Sequence, residues 1–127
     1  MIEHLVVDSG GFLKNAPIRE LCNNAYTIPE VVAEIKDRET RKRLKILPYE
    51  LKFRDPRPEC VQKVSQVAKE SGDFTALSAV DIKVLALTYE LSKEFVPDKN
   101  IKEDVSEIET KTQFGADPEG RVYIFFT

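Results

Sequence analysis

Three carboxylates stand where an apolar pattern would otherwise continue. Asp8 closes the run in "HLVVDSGG", Glu34 lies among Val31, Val32 and Ile35, and Asp81 sits early in "LSAVDIKVLALTYEL". A carboxylate turned towards an apolar interior is costly unless something neutralises it. Three that converged would suit a hard divalent cation such as Mg2+ or Mn2+, which prefers oxygen ligands. Such a cation lowers the pKa of water and stabilises the charge that builds on a phosphate in hydrolysis. Each acid also has a purely structural explanation. Ser78 and Asp81 have the spacing of a capping box, Asp8 could cap a following helix, and Glu34 could lie on a solvated helix face. Spacing alone leaves both explanations open.

The remaining chemistry is sparse. His4 is the single histidine, and Cys22 and Cys60 stand far apart without a CxxC pair, so two free thiols are expected and no zinc site within this chain. "DSGG" lacks the spacing and the lysine of a phosphate-binding loop. Tyr26, Tyr49, Phe53 and Tyr89 are scattered, as core aromatics are. The formal net charge of −3 provides no global attraction to nucleic acid, but the charge is uneven. Residues 36–45, "KDRETRKRLK", hold six basic residues against two acids, whereas residues 98–120 hold seven acids against three lysines. Arg38, Arg41, Lys42 and Arg43, with Lys45 in the same run, are therefore candidates for contacts to RNA phosphates. The alternative is a solvated helix face laced with Asp37 and Glu39.

These residues need elements to position them. "HLVVD" reads as a buried strand that stops at Ser9-Gly10-Gly11, with a helix beginning near Phe12. "NAYTI" is a second candidate strand. "IPEVVAEIKDRETRKRLKIL" follows as helix, with Thr27 as cap, Pro29 in the first turn and a break around Asp37. "YELKF" alternates like a strand, "PECVQKVSQVAKES" is an amphipathic helix ending at Gly72, and the segment around Asp81 is the most apolar helix. "RVYIFFT" reads as a last strand. Alternation of strands and helices predicts an α/β fold with a mostly parallel central sheet, in which ligands gather at the carboxyl ends of the strands. The expected organisation is a core over 1–96, a charged, turn-rich loop or insertion over 97–120, and a terminal strand over 121–127. No apolar run approaches the length of a membrane span, and the N-terminus lacks a basic, signal-like region, so a cytosolic or nuclear protein is expected.

In this order, "HLVVDSGGFL", "YTIPEVVAEIKDRETRKRL", "LPYELKFRDPRPE" and "SGDFTALSAVDIKVLALTYEL" resemble the PIN-domain ribonucleases. More closely, they resemble the Nob-type endonucleases that mature the 3′ end of small-subunit ribosomal RNA. The resemblance spans about residues 4–95. It implies a Rossmann-like α/β/α sandwich whose acids bind one or two Mg2+ or Mn2+ ions, and it places the first three of those acids on Asp8, Glu34 and Asp81. It further implies cleavage of precursor 18S rRNA to leave 5′-phosphate and 3′-hydroxyl ends, with precursor rRNA and the pre-40S particle as partners. A KH-domain assembly partner and a nuclear, nucleolar and cytoplasmic location follow from the same resemblance. Family members usually carry a fourth acid in a T-x-D pattern after the next strand. Here "FFT" ends the sequence, so a truncated or partial chain is expected, as is its counterpart reading, a catalytically incomplete PIN-fold scaffold that binds RNA or protein. A toxin-type PIN nuclease fits poorly with "YTIPEVVAEIKD".

Overall fold

A run of β-branched and long aliphatic side chains ending in an acid is what a central parallel strand requires, because such a strand is covered on both faces. The computed structural model describes residues 2–72, 76–95 and 122–125. Its first element, β1 (Ile2–Val7), has Leu5, Val6 and Val7 completely buried in succession. The chain then forms α1 (Ser9–Leu13), α2 (Ile18–Leu21), β2 (Cys22–Thr27), α3 (Pro29–Glu34), α4 (Arg38–Lys45), β3 (Leu51–Phe53), α5 (Pro58–Ser71), α6 (Ala79–Phe95) and β4 (Val122–Phe125). The four strands make one sheet of order β3-β2-β1-β4, and every pairing is parallel. Val6 lies opposite Tyr26 on one side and Ile124 on the other.

The strand order fixes where the helices go. The chain steps outwards from β1 to β2 to β3, then returns across the sheet to β4. Right-handed crossovers running in opposite directions must use opposite faces. Accordingly α1 packs on α3, and α5 packs on α6, which covers β1 and β4. The result is the α/β/α sandwich expected from the sequence. The return also creates a topological switch point at the carboxyl ends of β1 and β4, the place where open parallel sheets bind ligands. Asp8 follows β1 directly.

Several local expectations are corrected. The first helix begins at Ser9 rather than near Phe12, because Asp8 already has the extended backbone of an N-cap residue. Thr27 is no cap. It ends β2, and its hydroxyl donates to the Val7 carbonyl at 2.8 Å, tying β2 to β1 beside Asp8. The helical stretch after it divides into two helices at the break expected around Asp37. Ile35 is extended, and Asp37 caps α4 by accepting from the Thr40 backbone N–H at 3.0 Å and its hydroxyl at 2.8 Å. The short α2 is an addition, because its residues carry no strong periodicity. The acidic stretch 97–120 lies outside the described residues.

The path from β3 to α5 is held by a buried acid. Glu90 of α6 is 3% exposed and accepts from Arg54 Nε at 3.0 Å, the Arg57 backbone N–H at 2.8 Å and Arg57 Nε at 3.3 Å. Partnered on both oxygens, it welds residues 54–57 to α6. At the opposite end of α5, Gly72 adopts φ +83, the left-handed C-cap, and a Cβ there would meet nothing within 4 Å. Gly72→Ala should therefore lose stability from backbone strain alone, by about 1 kcal/mol. Urea unfolding monitored by circular dichroism would measure it, and an unchanged midpoint would contradict it.

Candidate active site

The strongest electrostatic anomaly lies at the switch point. Asp8 is 4% exposed, the most deeply buried of the candidate acids, and its carboxyl makes no capping hydrogen bond to the following turn. Burial pushes its pKa from 3.8 up to about 6. The neighbouring Ser9 N–H opposes the rise, while the negative charges of Asp81 and Glu34 reinforce it. Among the described residues no basic side chain offsets it. Acids 26 and 73 residues further along the sequence thus act on the first through space. That is an association the sequence could suggest but not establish.

The three are positioned by different means. Asp8 is delivered by the buried end of β1. Glu34 is the last residue of α3, exposed, and makes no hydrogen bond or ion pair among the described residues. Its location is therefore that of the helix carrying it. Asp81 is half-buried and completes the capping box predicted for it: Ser78 N–H donates to Asp81 Oδ2 at 3.0 Å, and Asp81 N–H donates to the Ser78 hydroxyl, also at 3.0 Å. Capping occupies one carboxylate oxygen and leaves Oδ1 without a hydrogen bond, so a structural and a chemical role are compatible in one side chain.

The donor set fits a hard divalent cation: it is all oxygen and anionic, and its innermost member has no counter-charge among the described residues. It is not a preformed cage. Among the described residues no three His, Cys, Asp or Glu side chains stand close enough together to hold a metal ion. The acids share a field without closing on one another.

The basic run divides in two. Arg38, Arg41, Lys42 and Lys45 recur at the i, i+3, i+4, i+7 spacing of one helical face. With Lys36 they line an open groove of about 560 Å³ whose every lining residue is basic. Arg43 is placed elsewhere. Its guanidinium donates to the Phe12 carbonyl and the Thr40 hydroxyl, both at 3.1 Å, fastening α4 to the end of α1. Lys36 is not among the candidates taken from the sequence, and the helical spacing already puts Lys45 on the stripe and Arg43 off it.

A family model for the PIN domain of ribonuclease matches residues 5–91. The chain is 48% identical over 111 residues to "RNA-binding protein NOB1" of Rattus norvegicus, covering 87% of this chain and 27% of that protein. It is 45% identical over 95 residues to "20S-pre-rRNA D-site endonuclease nob1" of Schizosaccharomyces pombe, covering 74% and 24%. It is 39% identical over 101 residues to "Endoribonuclease Nob1" of Pyrococcus abyssi, covering 77% and 60%. The chain thus spans about a quarter of the two eukaryotic proteins and well over half of the archaeal one.

The buried, uncompensated Asp8 yields a signed prediction. Its folded-state pKa lies above the unfolded value, so the folded chain binds more protons between about pH 4 and 6, and this group's contribution to stability falls as pH rises through that window. At neutral pH the loss is roughly 3 kcal/mol. In chelator, Asp8→Asn should raise the thermal midpoint at pH 7.5 by about 5–10 °C, and the gain should shrink towards zero near pH 4. A lowered midpoint at pH 7.5 would show that the carboxylate is compensated. With its switch-point acid, its parallel sheet and its matched span, the chain belongs to the PIN-domain family of ribonucleases and resembles the Nob1 endonucleases within it.

Proposed function

We propose that the chain is the catalytic domain of a metal-dependent endoribonuclease that cleaves precursor small-subunit rRNA to form the 3′ end of 18S rRNA. The observation that carries this reading is Asp8: a buried carboxylate at the switch point, in the field of two further acids and, among the described residues, without a basic partner. The names of the relatives, a pre-rRNA endonuclease among them, supply the substrate class. Asp8, Glu34 and Asp81 would hold Mg2+ or Mn2+. The bound ion would supply Lewis acidity towards the scissile phosphate and a nucleophilic water at neutral pH. The chain's own contribution is placement. β1 holds Asp8 dry, α3 brings Glu34, and the Ser78 amide fixes the orientation of the Asp81 carboxylate.

The groove of Lys36, Arg38, Arg41, Lys42 and Lys45 would seat RNA backbone. It begins two residues beyond Glu34, so a strand lying along it passes next to the acids. Phosphate contacts of this kind are blind to base sequence, and selection of one cleavage site would come from the pre-40S particle and a KH-domain partner. A nuclear, nucleolar and cytoplasmic itinerary accords with that assembly. A second reading, a non-cleaving PIN-fold scaffold, is favoured by the open arrangement of the three acids.

Cleavage of a single-stranded rRNA-spacer oligonucleotide in Mn2+ tests the two. Asp8→Asn and Asp81→Asn should each reduce the rate at least a hundredfold with RNA affinity little changed. Cleavage undiminished by either overturns the site, and RNA binding by a wild-type chain that does not cleave favours the scaffold. For the groove, Arg41→Ala with Lys42→Ala should weaken binding of different single strands alike. It should also reduce the slope of log affinity against log salt by about 1.4. Arg43→Ala should lower the thermal midpoint and leave that slope unaltered.

A further inference from the structure

A lysine beside the acids has no part in the function proposed so far. Lys83 of α6 lies two residues past Asp81, and its ammonium is held between two carboxylates from different elements. Glu30 of α3 accepts a hydrogen bond from Lys83 Nζ, and Asp55, just past the end of β3, accepts at 2.9 Å. The knot joins α3, α6 and the β3–α5 connection, elements up to 53 residues apart in sequence. Glu30 precedes Glu34 by one helical turn, so the two project from the same side of α3. One arm of the knot therefore holds the helix that carries Glu34 against the helix that carries Asp81.

What does this contact do? Lys83 is 28% exposed, Glu30 39% and Asp55 70%. Ion pairs this open contribute about 0–1 kcal/mol to stability, so bulk stabilisation is a weak reason for three charges to meet. Lys83 is also absent from the influences on Asp8, so it does not act by neutralising the switch-point acid. Geometry remains. α3 has only six residues and an extended residue at its end, and Glu34 has no polar partner of its own among the described residues. Within those same residues, Glu30 to Lys83 is the polar side-chain tie that anchors α3.

We propose that Lys83 is a positioning residue for the metal site. By clamping Glu30 and Asp55 it sets the distance between α3 and the first turn of α6, and hence between Glu34 and Asp81. This rests on the metal-site reading proposed for the three acids. It predicts an effect opposite to that of charge alone. Removing a nearby positive charge should tighten cation binding by electrostatics, whereas loosening the frame should weaken it, as loss of the partners that orient metal ligands commonly does by about 10- to 100-fold.

Mn2+ binding to the chain, followed by titration calorimetry without RNA, decides the matter. Lys83→Met should weaken Mn2+ affinity about tenfold, and Lys83→Arg, which keeps the clamp, should stay within about threefold of wild type. Glu90→Gln is the structural control: it disturbs the other junction of α6 with residues 54–57, and should lower the thermal midpoint with Mn2+ affinity unchanged. If Lys83→Met does not fold, Asp55→Asn alters an exposed side chain and should weaken Mn2+ binding twofold to threefold. Unchanged or tighter binding in Lys83→Met, or in Asp55→Asn where it serves as substitute, overturns the proposal while leaving the metal site standing. An equal loss in Glu90→Gln reduces Lys83 to general scaffolding and also overturns it. Mn2+ binding that is absent from wild type, or indifferent to Asp8→Asn, overturns the metal-site reading and this proposal with it.

Discussion

The double-sided burial of β1 is the constraint on which the molecule depends. Leu5, Val6 and Val7 are covered completely, with β2 and β4 on either side and helices on both faces. A strand enclosed in this way cannot end in water. Its first residue beyond the sheet is still inside, and that residue is Asp8. The same packing that stabilises the fold therefore keeps an acid where its charge is poorly solvated, and places it at the point where the chain reverses its direction across the sheet. Stability and chemistry pull against each other at one side chain. Thr27 reinforces the arrangement by donating to Val7, so β2 helps to hold the strand end still.

Polar side chains then do what the apolar core cannot. The core aligns strands and helices but says little about the spacing of helix ends above the sheet. That spacing is set by buried or clustered charge: Glu90 binding Arg54 and Arg57, and Lys83 between Glu30 and Asp55. The first is enclosed, so breaking it would leave an uncompensated charge inside. The second is open and energetically slight, and its value lies in where it holds α3. Two ion-pair groups on one helix thus have different physical roles because their burial differs.

Charge is also sorted along the surface of α4. Thr40, Arg43 and Leu44 turn inwards, where Arg43 directs its hydrogen bonds to Phe12 and Thr40, and the other cations share the outer face. Of the three acids, Glu34 alone is joined directly in sequence to the cations of the groove, through Ile35 and Lys36. Neither cluster is visible in the net charge of −3.

Much of this is legible in the amino-acid sequence alone. The apolar run into Asp8, the amphipathic helix closed by Gly72, the Ser78–Asp81 box and the alternation of strands and helices are local patterns, and local sterics and hydrogen bonding decide them. The fold class follows from their order, and the family resemblance from their wording. What the sequence leaves open are the relations between segments. It does not show that Asp81 and Glu34 bear on Asp8, that Arg43 leaves the basic stripe to hold α1, or that Lys83 gathers acids from two other elements. Thr27 misleads for the same reason: its hydroxyl satisfies a carbonyl on a neighbouring strand, not one nearby in sequence. A side chain's partner across the fold is chosen by packing, and packing exists only once the strands have found their neighbours.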